Sequence, residues 1–198
     1  MYYYTNNIRS NKTMAKSSLL YLILLTFLPT LAISSSHYHK HGYKSMHFTL
    51  YQHDIYNKTD LLIVPGVAGA NFSDTAAPFG TITVLNDNLT LTQDPSSKLV
   101  GNAEAMTVIS SFDGLDSLSI VRFTLKLEGG RHMGTISAVG VVNNLNPSQV
   151  PVTGGTGDFL LVQGYFTSSF VSSKALTYIY KLDFNLFWPP YAPHALKG

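Results

Sequence analysis

Ser117 to Glu128 reads SLSIVRFTLKLE, and Gly129-Gly130 follows at once. Val121, Phe123, Leu125 and Leu127 alternate with Arg122, Thr124 and Lys126. A period of two puts the apolar set on one face of a strand and the polar set on the other. The paired glycines predict a two-residue hairpin, with the partner strand returning over Gly134 to Val142. This unit sets the pattern for the rest of the chain.

Outward from it, Met46 begins MHFTLYQHDIY. Alternation there places Phe48, Leu50, Gln52 and Asp54 on one face and Thr49, Tyr51, His53 and Ile55 on the other. An aspartate thus ends an apolar stripe, either as a strand end reaching solvent or as a carboxylate at the polar rim of a pocket. Leu61 to Pro65 reads as a short or edge strand. Phe79 to Leu85 is β-branched and strand-like, closed by a turn at Asn86-Asp87-Asn88. A further strand covers about Ala103 to Ser110, and Asn143 to Val150 reads as a polar loop. Leu176 to Phe187 alternates, with Tyr178, Tyr180, Leu182, Phe184 and Leu186 on one side, and Trp188-Pro189-Pro190-Tyr191 breaks it.

Between those last segments lies PVTGGTGDFLLVQGY, residues 151–165. Its glycines predict a tight turn that delivers Asp158 to the start of a long strand, Asp158 to Val171. On a regular strand Asp158 and Gln163 then face opposite ways, and only a bulge brings them together. The alternative role for Asp158 is to cap the glycine turn through its own backbone. No Lys-Ser/Thr pair or following helix supports a phosphate loop.

After residue 45 no segment holds a 3.6-residue period. About eight short strands separated by turn signals imply an antiparallel barrel or sandwich. A barrel of that size is filled by side chains or holds one small ligand, and its mouth is the default place for chemistry.

At 198 residues, 45% hydrophobic and 12% charged, the chain suits a single domain. Residues 1–34 stand apart from it: Lys16 precedes an apolar run, Leu19 to Leu31, and Ala32-Ile33-Ser34 offers small residues for signal-peptide cleavage. Met14 makes a more ordinary signal start than Met1. Removing residues 1–34 takes away Arg9, Lys12 and Lys16 and turns the formal charge of +2 into −1, since 10 basic and 11 acidic side chains remain. No basic surface points to nucleic acid. The run is also too short for a comfortable membrane span. The expected organisation is a signal peptide at 1–34, a His-rich tail at 35–45, a barrel at 46–188 and a C-terminal tail at 189–198.

His37, His39 and His41 lie in that tail and read as solvated rather than as a metal site. With no cysteine, the chain has no disulfide and no thiol nucleophile. Asn57-Lys58-Thr59, Asn71-Phe72-Ser73 and Asn88-Leu89-Thr90 match the glycosylation sequon, which fits a secreted chain.

Taken in order, LYQHDI at 50–55, FGTITVLNDNLT at 79–90, VGNAEAM at 100–106, GTISAVG at 134–140 and PVTGGTGDF at 151–159 resemble the dirigent family of plant secreted proteins. The resemblance implies an eight-stranded antiparallel barrel that forms a homo-oligomer, a trimer or dimer, in the apoplast. It implies no cofactor, no metal and no oxidative activity of its own. A separate laccase or peroxidase supplies phenoxy radicals of a monolignol such as coniferyl alcohol, and the dirigent protein imposes regio- and stereochemistry on their coupling into lignans. Holding two reactants in one orientation suffices for that. Carried over by motif, Asp54 and Asp158 are the candidate acids or phenol anchors, with His53, Thr107, Gln163 and Phe159 as substrate contacts.

The chain departs from the family in carrying Gln163 where arginine is common, Thr107 where an aromatic is common, and Asn102 where arginine is common. Without the arginine, a buried Asp54 or Asp158 is expected to hold its proton more readily. Two other functions remain open on the same barrel: a ring-closing enzyme acting on a quinone methide, which a raised carboxyl pKa would favour, and a non-catalytic cell-wall protein that binds a phenolic or a glycan.

Overall fold

The computed structural model describes residues 44–67, 73 and 76–192. The signal peptide, His37, His39 and His41, and Asn71 lie outside the described residues.

Nine strands follow one another: β1 Lys44–Ile55, β2 Asp60–Pro65, β3 Thr81–Thr90, β4 Leu99–Ile109, β5 Asp116–Leu127, β6 His132–Asn143, β7 Ser148–Gly157, β8 Gln163–Lys174 and β9 Thr177–Trp188. All named pairs are antiparallel, in the order β1-β9-β8-β7-β6-β5-β4-β3-β2. β1 pairs with β9 from Lys44↔Trp188 to Ile55↔Thr177, and also with β3 at Tyr51↔Thr90, Gln52↔Leu89 and His53↔Asn88. That second pairing closes the sheet, so the fold is an eight-stranded barrel and not a sandwich. The short β2 extends the edge beyond the point where β1 leaves β3, pairing Asp60–Pro65 with Leu85–Thr81. β1 begins at Lys44, so the barrel starts two residues earlier than expected from Met46.

Four local readings need correction. Asn86-Asp87-Asn88 is not a turn, because β3 runs through it. These residues pair with Glu104, Ala103 and Asn102 of β4, and a ladder on that side outweighs their turn preference. The β5–β6 connection is not a two-residue hairpin: a 3-10 turn at Glu128–Gly130 makes it, and the ladder ends at Leu127↔His132. The loop expected over Asn143–Val150 is shorter, residues 144–147, since β6 ends at Asn143 and β7 starts at Ser148.

Most consequentially, the glycines of PVTGGTGD belong to β7 itself, and Asp158 sits in the turn after it rather than at the head of a strand. β8 starts only at Gln163. The glycines serve close approach: a Cβ on Gly155 would stand 2.5 Å from the Phe159 carbonyl oxygen and 2.6 Å from that of Thr135.

The barrel is solid at one end. Phe48 stacks on Phe184 at 4.7 Å, and Phe123 meets Phe184 and Phe166 edge-on at 5.1 Å each. Below them Leu125, Leu127, Ile136, Leu186 and Trp188 fill the interior, with Trp188 stacked on Phe159 at 6.4 Å. At the other end the aromatic cluster becomes the floor of a cavity.

Candidate functional site

The cavity has a volume of about 420 Å³ and opens at the end where β1 meets β2. Its size suits one small organic ligand. Phe123, Phe166 and Leu182 form the floor, Tyr178, Tyr180 and Phe170 one wall, and Thr83, Thr107, Ser117 and Ser119 another.

Gln52 and Asp54 enter the cavity from β1 on the expected face. Past Asp54 the chain makes a tight excursion. The Lys58 and Thr59 N–H groups donate to the Ile55 carbonyl at 3.0 and 2.8 Å, with Asn57 at φ 59°. The Thr59 hydroxyl in turn accepts the Ile55 N–H at 2.9 Å. This loop carries the chain from Asp54 to a second cavity carboxylate, Asp60, on β2. The Thr59 carbonyl accepts the Asn86 N–H at 2.8 Å and so pins the loop to β3 next to Asp87. Asp87 is fully buried and accepts the Gln52 amide N–H on Oδ2 at 2.7 Å.

These three carboxyls share one feature: Oδ1 of Asp54, of Asp60 and of Asp87 is buried with no hydrogen-bond partner. Among the described residues no Lys, Arg or His lines the cavity. Burial without a cation favours the neutral acid. Asp54 is accordingly pushed up to about 8, by burial first and then by the charges of Asp87 and Asp60. Asp87 is pushed up to about 6 by burial, against hydrogen bonds from Thr59 and Gln52. Burial raises Asp60 as well, against the Thr83 hydroxyl. The same burial and the neighbouring Asp54 push the Tyr180 phenol up. Burial without a cation thus favours the protonated form of Asp54, a proton donor beside a tyrosine wall.

The residues expected at the site are not brought together. Asp54 and Thr107 line the cavity, and Thr107 shares a 2.8 Å hydrogen bond with the Thr83 hydroxyl. His53, next to Asp54, points to the opposite face, as the alternation requires. It is buried there, with Nε2 2.7 Å from Thr90 Oγ1. The Thr90 hydroxyl donates to the Thr92 carbonyl at 2.7 Å, so His53 is the donor in that contact. Burial lowers its pKa against the charge of Asp94.

Asp158, Phe159 and Gln163 lie at the closed end. The Met133 N–H donates to Asp158 Oδ2 at 2.7 Å, and the Asp158 N–H donates to the Met133 carbonyl at 2.9 Å, a reciprocal clamp of the β7–β8 turn onto β6. A cap on its own turn is not what Asp158 forms; its partner is the backbone of Met133 on β6. Phe159 is core packing against Trp188. Gln163 edges a separate pocket of about 440 Å³, with Gly154, Leu160, Leu161 and Tyr191. Of the sequon asparagines described, Asn57 and Asn88 are exposed.

The residues missed in the sequence are Asp60, Asp87, Ser119 and Ser168. Extending the β5 alternation back from Val121 points Ser119 and Ser117 inward, a legible signal. Asp87 is hidden by its turn-like neighbours.

The sequence profile of dirigent-like proteins matches residues 45–187. A dirigent protein from Sinopodophyllum hexandrum is 30% identical over 187 residues, covering 87% of this chain and 96% of that one. Dirigent protein 1 of Arabidopsis thaliana is 32% identical over 161 residues, covering 77% and 87%. Coverage varies among relatives: the match takes in 65% of dirigent protein 23 of Arabidopsis thaliana and 35% of dirigent protein 16. Pterocarpan synthase 1 of Glycyrrhiza echinata is 27% identical over 173 residues, covering 80% and 90%. The solved structure of a pterocarpan synthase dirigent protein superposes with a TM-score of 0.65 at 22% identity, covering 74% of this chain and 91% of that one, and so shares the fold. With its barrel and the match over most of its length, the chain belongs to the dirigent family.

Proposed function

We propose that the chain binds a phenolic intermediate in the barrel cavity and directs the stereochemistry of bond formation, with the neutral Asp54 carboxyl as its proton donor. The observation that carries this reading is the buried Asp54 carboxyl, with an unpartnered oxygen above an aromatic floor and, among the described residues, no Lys, Arg or His on the cavity wall; burial raises its pKa. A carboxyl of that kind matches general acid work near neutrality.

The step is ring closure on a quinone methide. Asp54 gives its proton to the quinone methide oxygen while a hydroxyl of the same ligand attacks the exocyclic carbon. One C–O bond forms, the ring regains its aromatic electrons as a phenol, and the attacking hydroxyl returns its proton to the Asp54 carboxylate. Protons and electrons balance with no co-reactant. The similarity to a pterocarpan synthase supports this class of reaction.

Bimolecular coupling is the second reading, supported by the dirigent relatives at 30 and 32% identity. A separate laccase or peroxidase makes two monolignol phenoxy radicals, their pairing forms one bond and leaves quinone methides, and the same carboxyl then assists closure into a lignan. Asp54 has one role in both.

Incubating the mature protein with coniferyl alcohol and a limiting laccase, and resolving products by chiral chromatography, tests the coupling route. Generating a hydroxyl-bearing quinone methide in the same buffer tests closure alone. Enantiomeric excess that needs the protein, in either arm, is expected. Racemic products at the buffer rate in both arms would overturn the reading.

We also propose secretion to the apoplast with sugars at Asn57, Asn71 and Asn88, checked by a mass shift on deglycosylation. A homo-oligomer is proposed through the outer wall of β4 to β6. Met106, Ile120 and Val139 pair across that wall in an exposed apolar row, beside Leu118 and Val141. A monomeric mass in solution would remove that proposal.

A further inference from the structure

We propose that the outside of the closed end carries a second binding site, between β7 and β8, that takes a neutral saccharide. It stands apart from the cavity and does not rest on the function proposed above.

The site arises because two neighbouring strands part. The β7–β8 ladder covers only Ser148↔Ser168 to Pro151↔Tyr165, whereas β7 runs on to Gly157 and β8 begins at Gln163. On their other sides both strands stay paired, residues 154–157 with β6 and residues 163 and 164 with β9. Backbone that continues the sheet on one side therefore faces an opening on the other. The pocket of about 440 Å³ lies in that opening, lined by residues 152–155 of β7, residues 160–163 and Tyr191, and it shares no residue with the cavity at the mouth. A strand edge without a partner strand presents a row of N–H and C=O groups, and these require water or a hydroxyl-bearing ligand.

The turn that parts the strands also builds the rim. The Phe159 N–H donates to the Thr156 carbonyl and the Val162 N–H to the Phe159 carbonyl, each at 3.1 Å. Phe159 and Val162 thereby enter the core, and Leu160 and Leu161 are left 40% and 43% exposed. Leu161 holds φ 62°, a conformation that strains a leucine and not a glycine. Strain of this kind collects at ligand clamps. A second turn, closed by the Ala192 N–H to the Pro189 carbonyl at 3.0 Å, carries Tyr191 to the rim with its side chain 74% exposed.

These surfaces select the ligand. Tyr191 and the two leucines are apolar, the exposed Gln163 and Thr153 donate and accept hydrogen bonds, and among the described residues no charged side chain lines the pocket. A sugar ring has the matching make-up, with a C–H face for an aromatic ring and hydroxyls round its rim. An anion would find no cation, and a wholly apolar ligand would leave the strand edge unpaired. An added peptide strand has no room to run. The ladder resumes at Pro151↔Tyr165 on one side, and on the other the Phe159 carbonyl oxygen lies 2.5 Å from where a Gly155 Cβ would stand. A pocket stopped at both ends suits a mono- or disaccharide. A barrel held there on the end of a saccharide chain keeps its mouth free.

Backbone N–H NMR titration of the mature protein with cellobiose, xylobiose and mannobiose, and with digalacturonate as their charged counterpart, tests the site. At least one neutral disaccharide is expected to shift the Gly154, Gly155 and Gln163 signals while those of Thr107 and Ser119 in the cavity stay in place, and digalacturonate to shift none. Tyr191→Ala should weaken binding about tenfold or more, as loss of an aromatic anchor does. Gln163→Leu, which keeps the bulk, should weaken it about three- to tenfold, the worth of a hydrogen bond. Both side chains are exposed, so the melting temperature of either variant stays that of the parent, and Tyr191→Ala keeps the parent's enantiomeric excess in the coupling assay. No shift with any neutral disaccharide, shifts confined to the cavity, digalacturonate binding as tightly as the neutral sugars, or full affinity in Tyr191→Ala would each overturn the site. Tighter binding of an alternating Thr-Val hexapeptide at the same glycines would overturn it in favour of strand addition.

Discussion

The two halves of the barrel are built on the same strands and differ in what those strands carry inside. β5 points Leu125 and Leu127 inward at the closed end and Ser117 and Ser119 inward at the mouth. β1 goes from Phe48 and Leu50 to Gln52 and Asp54, and β9 from Leu186 and Trp188 to Tyr178 and Tyr180. The outer face of β5 at the mouth inverts too, with Leu118 and Ile120 exposed. One backbone period thus supports two chemistries. The closed half obeys the rule of apolar inside and polar outside and supplies the packing that holds the sheet shut. The mouth breaks that rule on both faces, and breaches of local consistency concentrate where a protein acts.

The comparison assigns function to the mouth and stability to the floor, and single substitutions separate them. Asp54→Asn keeps the shape of the side chain and removes its proton. The rate of ring closure is expected to fall about 10²–10⁴-fold, the usual share of a general acid, with the circular dichroism of the folded barrel unchanged. An unchanged rate in this variant would move the reaction away from the mouth. At the floor, Phe184→Ala removes the ring that touches Phe48, Phe123 and Phe166. A loss of about 3–5 kcal/mol in denaturant unfolding is expected from the transfer and cavity costs together. A loss below about 1 kcal/mol would mean the floor is not the keystone.

How much of this was legible in the residues follows the same division. The period-two stripes of β1, β5 and β9 were readable because each inward apolar run is long, and they led to an antiparallel barrel or sandwich. Closure was not readable, because it depends on Tyr51, Gln52 and His53 finding Thr90, Leu89 and Asn88 across more than thirty residues. Asp54 was readable as a carboxylate ending an apolar stripe. Its partners were not: Asp60 arrives through a four-residue loop, and Asp87 sits in an Asn-Asp-Asn run that local preference reads as a turn. The glycines of β7 misled in the opposite sense. They signal a tight turn in isolation, and it is the carbonyl oxygens of Thr135 and Phe159 that require them.

Acid in the mouth also gives the whole barrel a pH signature. Asp54 titrates at about 8 when folded and near 3.8 as an ordinary carboxyl. The unfolded chain therefore loses this proton from about pH 4 upward while the folded chain keeps it until about pH 8. Stability is fully present below pH 4 and declines through that window by about 1.4 kcal/mol per pH unit for one retained proton. Asp87, at about 6, steepens the decline in the lower half. Unfolding curves across pH 4–8 are expected to show the fall, and Asp54→Asn to flatten it above pH 6. A wild-type stability that rises with pH across this range would mean that the carboxyls are paired with a cation.

The smallest effect is the sharpest test of the division, because Asp158 shares a residue type and a sequence motif with a reactive role but sits at the closed end. Its carboxylate accepts one backbone N–H, from Met133, in a half-exposed turn. Asp158→Ala removes that bond, while the Asp158 N–H still donates to the Met133 carbonyl. The expected loss is about 1 kcal/mol of stability, the ordinary worth of a single capping interaction. Enantiomeric excess and closure rate should stay within about twofold of the parent, since no part of Asp158 lines the cavity. Asp158→Asn, which keeps an acceptor oxygen, should recover most of the stability. If Asp158→Ala instead abolished selectivity while the barrel remained folded, the closed end would have to take part in the reaction, and the assignment of chemistry to one half of the barrel would fail.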